Sequence, residues 1–129
     1  MHVLTRIAAA GGLLFAVACS AAPGEVSEIS ADALLGTPPA GALILDVRSA
    51  EEFASGHVPG ATNLSHESVA ARLGELESYR DQPVVVYCES GRRAGRVTDQ
   101  LLEAGFTDVR HLTGDMRAWR EAGRPVEKP

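Results

Sequence analysis

The stretch Val84-Val-Val-Tyr-Cys-Glu-Ser-Gly-Arg-Arg93 decides how this chain reads. Its first four residues are β-branched or aromatic, the composition of a buried strand. The run stops at Cys88, a turn containing Gly91 follows, and an amphipathic segment opens near Arg92. A cysteine at the carboxyl end of a strand, facing a helix start, occupies the place where open α/β sheets hold their ligands. Unpaired N–H groups at that helix start attract anions and favour thiolate over thiol. Arg92, Arg93 and Arg96 add positive charge, the setting in which a cysteine becomes nucleophilic. Free cysteine is also among the most buried residue types, so an inert core thiol is the competing reading. Two arginines and a glycine within five residues speak against burial, and a reactive thiol is expected.

On either side of this stretch, strand and helix signals alternate. Residues 42–47, Ala-Leu-Ile-Leu-Asp-Val, form an apolar run of strand length without polar alternation, as expected for a strand covered on both faces. Shorter strands are expected over 26–29, 61–64 and 109–112. Ser30 and Ser49 are suited to cap short helices through 35 and over 50–54, the second with Glu51 and Glu52 at its positive end. Further helices are expected over 67–76 and 92–104, the latter ended by Gly105. A last helix, capped by Thr113 or Asp115, would turn Met116 and Trp119 inward. This order predicts an α/β domain, a mostly parallel sheet with helices on both faces. At 129 residues with three Phe, two Tyr and one Trp, there is room for one domain whose core is mainly aliphatic.

The first 18 residues read as a signal peptide. One arginine precedes an apolar run over 7–18 that is short for a membrane span and ends in Ala16-Val-Ala18. The rival, a buried helix, is weakened by Gly11-Gly12. Cys19 and the tether Ser-Ala-Ala-Pro-Gly-Glu25 resemble the lipobox junction of bacterial lipoproteins, with Ala16 where leucine is usual. Residues 19–25 are thus expected to be a lipidated terminus and tether, and residues 26–126 the domain. The protein would be exported to the periplasm and anchored to the membrane through Cys19, with soluble release as the alternative. From Cys19 onward, 11 basic residues face 17 acidic ones, six negative charges net. That balance disfavours nucleic acid and anionic lipid as partners, while the arginines beside Cys88 suggest a local anion site. Exported domains normally pair their cysteines. With Cys19 lipidated, Cys88 would be a lone thiol, better explained by chemistry than by stapling.

Several motifs in order carry a family resemblance. Asp46-Val-Arg-Ser-Ala-Glu-Glu-Phe-Ala-Ser-Gly-His-Val-Pro-Gly-Ala-Thr-Asn-Leu64, the stretch over 84–93, Leu102-Glu-Ala-Gly-Phe106 and Leu112-Thr-Gly-Asp-Met-Arg-Ala-Trp119 together resemble the rhodanese family. The chain is similar to its small periplasmic members. The resemblance implies a single rhodanese domain with a mostly parallel five-stranded sheet. It also implies thiosulfate sulfurtransferase-like activity through a persulfide on Cys88, without metal or cofactor. The donor would be a small sulfur anion such as thiosulfate, the acceptor cyanide or a thiol, and the protein a monomer. Backbone N–H groups of Glu89, Ser90, Gly91, Arg92 and Arg93 would ring the sulfur. Arg93 would hold the donor's oxyanion end, with Arg92 and Glu89 turned outward. Asp46 would order the loop by pairing with arginine, and Arg48 would pair locally. Gly114-Asp115, where Gly-Gly is commoner, is expected to alter a turn rather than the chemistry. His57 belongs to a packed turn. His66 and His111 are expected to lack carboxylate or cysteine partners at metal spacing.

Two other functions fit parts of this pattern. A non-catalytic persulfide carrier or sulfur- or redox-sensing module could use the same Cys-Glu-Ser-Gly-Arg-Arg loop. A phosphatase or arsenate reductase also uses a cysteine, an anion-cradling loop and an arginine. The related phosphatases resemble Cys-x5-Arg, one residue longer than the six from Cys88 to Arg93, and have histidine where Tyr87 stands. The short loop favours sulfur.

Overall fold

The computed structural model of the protein describes residues 24–129 together with Gly12. The expected signal peptide and the lipidation site at Cys19 lie outside the described residues. The elements run β1 (Ser27–Ile29), α1 (Ala31–Gly36), β2 (Leu43–Asp46), α2 (Ala50–Ala54) and β3 (Thr62–Asn63). A 3-10 segment over Ala70–Tyr79 follows, then β4 (Pro83–Tyr87), α3 (Arg92–Glu103), β5 (Asp108–Leu112) and α4 (Asp115–Glu121). The five strands form one sheet in the order β1-β5-β4-β2-β3. Every pair is parallel, with Leu45 opposite Val86 on one side of β4 and His111 opposite Val86 on the other. The fold is α/β, with an all-parallel five-stranded sheet where a mostly parallel one is expected.

Side chains of β4 point alternately to the two faces, and the two layers of core follow from that. Val84 and Val86 join Leu43, Leu45, Val97 and Leu101 in the layer beneath α3 and the 3-10 segment. Val85 and Tyr87 join Leu34, Leu112, Met116 and Trp119 in the layer beneath α1 and α4. Burying each such aliphatic side chain contributes roughly 1.5–3 kcal/mol. With both faces covered, the middle strand can be uniformly apolar. Its first hydrophilic opportunity comes where it ends, at Cys88 and the loop beyond.

The helix caps lie where the residues predict them. Ser30 accepts from the Ala33 N–H, and Ser49 with Glu52 forms a reciprocal capping box. Gly105, at φ +91°, follows α3 and ends it. Three expectations are corrected. The segment expected as an α-helix over 67–76 is a 3-10 run over Ala70–Tyr79, broken by non-helical backbone at Arg72. The strand expected over 61–64 shrinks to Thr62–Asn63. Neither Thr113 nor Asp115 caps α4: Gly114, left-handed at φ +82°, takes that position without a side-chain bond. A Cβ on Gly114 would come within 2.5 Å of the Ala118 Cβ, so the close approach of turn and helix requires glycine there.

Candidate active site

Cys88 follows β4 directly, and its side chain falls on the same face as Val84 and Val86. It is 1 % exposed. The argument that neighbouring arginines and glycine keep this thiol out of the core is therefore corrected, because strand alternation carries one residue past Tyr87 and turns the side chain inward. Cys88 is a free cysteine. Its Sγ accepts a hydrogen bond from the Gly91 N–H at 3.0 Å, so the loop curls over the sulfur. Gly91 makes that curl possible. Its φ is +102°, and a Cβ there would lie 3.1 Å from Asp115 Oδ2. Of the N–H groups from Glu89 to Arg93 expected to ring the sulfur, that of Gly91 is the one bonded to it, and a backbone donor at that point suits an anionic sulfur.

The loop is gripped from below by the first turn of α4. The Met116 N–H donates to the Cys88 carbonyl at 3.0 Å, and the Arg117 N–H to the Glu89 carbonyl at 3.1 Å. In the opposite sense, the Cys88 N–H donates to Asp115 Oδ1 at 3.0 Å. Both backbone groups of Cys88 are thereby fixed to α4. Asp115, expected to change a turn only, thus touches the backbone of the candidate nucleophile.

His111 has two carboxylate neighbours that the sequence does not announce: its Nε2 lies 2.9 Å from Asp115 Oδ2 and its Nδ1 lies 3.0 Å from Glu28 Oε1. The hydrogen bond to Asp115, with Glu28 adding to it, raises the His111 pKa to about 9. Among the described residues, no group of three or more His, Cys, Asp or Glu side chains could hold a metal ion.

The remaining predicted site residues fall into two sets. Asp46 and Arg48 are fully buried and paired with each other, Arg48 Nη2 to Asp46 Oδ2 at 2.7 Å. Arg48 also donates to the Gly56 carbonyl at 2.8 Å. Tyr87 completes this group: its hydroxyl donates to Asp46 Oδ2 at 2.6 Å and accepts from the Val58 N–H at 3.1 Å. Burial and the adjacent carboxylate push the Tyr87 pKa upward, holding the phenol neutral. Tyr87 entered the sequence reading only as a departure from the phosphatase pattern; its polar tip at the end of an apolar strand was the available signal. The network lies behind the loop and ties β2, β4 and the turn at 56–58 together.

The second set rims the sulfur. Arg93 makes a bidentate pair with Glu52 of α2, 2.7 Å and 3.0 Å. That bond draws the Glu52 pKa down to about 2. The Glu89 carboxylate turns toward Arg120, with Arg48 Nη1 3.9 Å away. Ser90 and Arg92 are exposed. Glu52 was read only as a helix-end charge; its partner is 41 residues on, beyond the reach of local pattern.

Known proteins share this fold. Residues 29–122 match the family model described as Rhodanese-like domain. The chain belongs to the rhodanese-like family, a family of sulfurtransferases. It is 39 % identical over 79 residues to the Thiosulfate sulfurtransferase GlpE of Shewanella oneidensis, covering 61 % of this chain and 76 % of that one. It is 34 % identical to the chloroplastic Thiosulfate sulfurtransferase 16 of Arabidopsis thaliana, covering 84 % of this chain and 96 % of that one. The crystal structure of a rhodanese-related protein from Thermoplasma volcanium superposes with a TM-score of 0.71 at 25 % identity, over 80 % of this chain and 99 % of that one.

Proposed function

We propose that the protein is a sulfurtransferase that moves a sulfane sulfur from thiosulfate or a similar donor to cyanide or a thiol. The carrier is a persulfide on Cys88. In the first half-reaction the Cys88 thiolate attacks the outer sulfur of thiosulfate. A sulfur–sulfur bond forms to Cys88, the donor's own sulfur–sulfur bond breaks, and sulfite leaves with the electron pair. In the second, cyanide attacks the outer sulfur of the persulfide, thiocyanate departs, and the thiolate is restored. The observation that carries this reading is the Gly91 N–H bonded to Cys88 Sγ inside a six-residue loop that closes at Arg93. A backbone donor aimed at the sulfur stabilises negative charge there without a side-chain base.

We assign to Arg93 the role of meeting the donor's oxyanion end; a dianionic donor would draw it from Glu52. The names of the two relatives, both thiosulfate sulfurtransferases, support thiosulfate as the first donor to assay. We further propose that the domain works outside the cytoplasm, tethered by a lipid on Cys19. Fatty-acid labelling that is equal in wild type and Cys19→Ser would exclude the anchor.

Mass spectrometry tests the central step. Wild type incubated with thiosulfate alone gains the mass of one sulfur atom, and added cyanide removes it as thiocyanate. Cys88→Ser keeps the fold and loses both events, because a hydroxyl fits the same turn but is a far weaker nucleophile near neutral pH. Thiocyanate production by Cys88→Ser would refute the mechanism. Sulfur uptake without turnover would make the protein a carrier instead. Phosphate release from a phosphoester without sulfur uptake would make it a phosphatase.

A further inference from the structure

Asp115 is the one non-glycine residue among those described that stands at positive φ, +55°. A left-handed backbone is unfavourable for an ordinary residue, less so for aspartate, and persists where its surroundings hold it. What holds Asp115 is clear. Its side chain is buried, accepts from the Cys88 N–H, and faces the His111 ring at 2.9–3.0 Å. A buried carboxylate needs a compensating cation, and among the described residues His111 is the titratable group that pairs with it.

The ring's own geometry fixes its charge state. Both nitrogens of His111 face carboxylates, Nε2 toward Asp115 and Nδ1 toward Glu28. Ionised carboxylates only accept, and neutral imidazole carries one N–H, so the imidazolium alone satisfies both contacts. The charged groups facing the ring are Glu28 from β1 and Asp115 from α4. In the Cys88 loop, the position of a Cβ on Gly91 lies 3.7 Å from Nε2. Glu28 is further held by the Thr113 hydroxyl at 2.9 Å. A chain of contacts therefore runs from β1 through His111 and Asp115 to the nucleophile's amide.

We propose that His111 and Asp115 are a positioning pair for Cys88, in which the imidazolium neutralises the carboxylate that holds the Cys88 amide, so that sulfur loading weakens when His111 loses its proton. The proposal rests on the sulfurtransferase reading of Cys88. Loss of that proton, with a midpoint near 9, leaves Asp115 as an uncompensated buried anion directly beneath a loop that must hold a thiolate and then a persulfide anion. Asp115→Asn keeps an acceptor for the Cys88 N–H and removes the anion.

Two measurements on the folded protein test this. The first is the pH dependence of persulfide formation from thiosulfate with no acceptor present, which keeps the ionisation of cyanide out of the profile. The profile is read as the ratio of the wild-type to the Asp115→Asn loading rate, so that whatever pH does to both proteins alike drops out. It is expected to fall about tenfold between pH ~7.5 and ~10. The second is an NMR titration, in which the Cys88 amide and the His111 ring shift with one common midpoint in wild type, and the amide shift disappears in Asp115→Asn. A flat rate ratio with normal sulfur loading overturns the positioning pair and leaves the sulfurtransferase reading intact. A Cys88 amide that does not follow His111 also overturns it. A coupled NMR titration in a protein that takes sulfur from no donor keeps the structural pair and removes the sulfurtransferase reading instead.

Discussion

Two buried aspartates flank the Cys88 loop, and they are compensated in different ways. Asp46, at the end of β2, is paired with Arg48, whose guanidinium stays charged at any pH a folded protein meets. Asp115, at the start of α4, is paired with His111, whose charge depends on pH. The first carboxylate also takes the Tyr87 hydroxyl and serves elements behind the loop. The second takes the amide of Cys88 and serves the loop itself. A permanent cation suits a frame that should not change. A titratable one makes the geometry at the sulfur conditional on solution pH, although the two carboxylates do the same kind of work.

The largest expected effect separates the two by breaking the permanent pair. Arg48→Met leaves Asp46 buried beside Tyr87 without its cation. Removing one partner of a buried ion pair typically destabilises by about 3–5 kcal/mol, and urea denaturation should show a loss of this size. The guanidinium stays charged through the neutral and alkaline range, so the contribution of Arg48 should change little there. A loss under about 1 kcal/mol would mean that water reaches Asp46 and that the frame is softer than its burial implies.

The conditional pair should appear as pH-dependent stability. The folded pKa of His111, about 9, lies above its ordinary value of 6.5. Its stabilisation is therefore complete below pH 6.5 and is lost as pH rises through 9. With the ring partly exposed, the loss should be about 2 kcal/mol rather than the full value of the shift. Denaturation midpoints measured across this range should decline in wild type and much less in Asp115→Asn. Equal slopes in the two proteins would dissolve the contrast between the aspartates.

Tyr87→Phe probes how far the permanent frame relies on one hydroxyl. The change removes two hydrogen bonds, leaves the Val58 N–H unpaired, and should cost about 1–2 kcal/mol. Sulfur loading by the folded variant should stay within about twofold, because Tyr87 faces the layer opposite to Cys88.

The sequence discloses these two regions unequally, for physical reasons. The frame stands on patterns of short range: apolar runs over 42–47 and 84–87, the Ser49 capping box, and the alternation that predicts a parallel sheet. Asp46 and Arg48 are two residues apart, so their pairing is close to local. The loop region depends on contacts between distant elements. Glu28 meets His111 across 83 residues, and Cys88 meets Asp115 across 27. The histidine and aspartate are four residues apart, but at a strand-to-turn junction that spacing does not announce a pair. Burial of Cys88 was legible, since Val84, Val86 and Cys88 share a period of two. The nearby arginines outweighed that signal, although Arg93 turns to Glu52 and Arg92 to solvent. The 3-10 segment was misread because local propensity does not separate it from an α-helix, and the difference lies in the break at Arg72.

The smallest expected effect is that of Glu52→Gln at the rim, where a third carboxylate competes for the cation proposed to meet the donor. Arg93 is held by Glu52 in a two-pronged pair, with both side chains partly exposed. A thiosulfate dianion approaching Cys88 must draw that guanidinium away or share it. Glu52→Gln keeps the shape and one acceptor but removes the competing charge. Because the pair is partly solvated, the gain is that of a surface pair, about 0.5–1 kcal/mol. The KM for thiosulfate should therefore fall by roughly two- to fivefold with kcat nearly unchanged. Arg93→Ala should act in the opposite direction and more strongly, by about 10- to 150-fold in kcat/KM, because a charge-assisted bond to the donor is lost outright. If Glu52→Gln raises KM instead, Glu52 is holding Arg93 in its working position rather than competing for it. The rim would then resemble the frame around Asp46, and only Asp115 would stand apart.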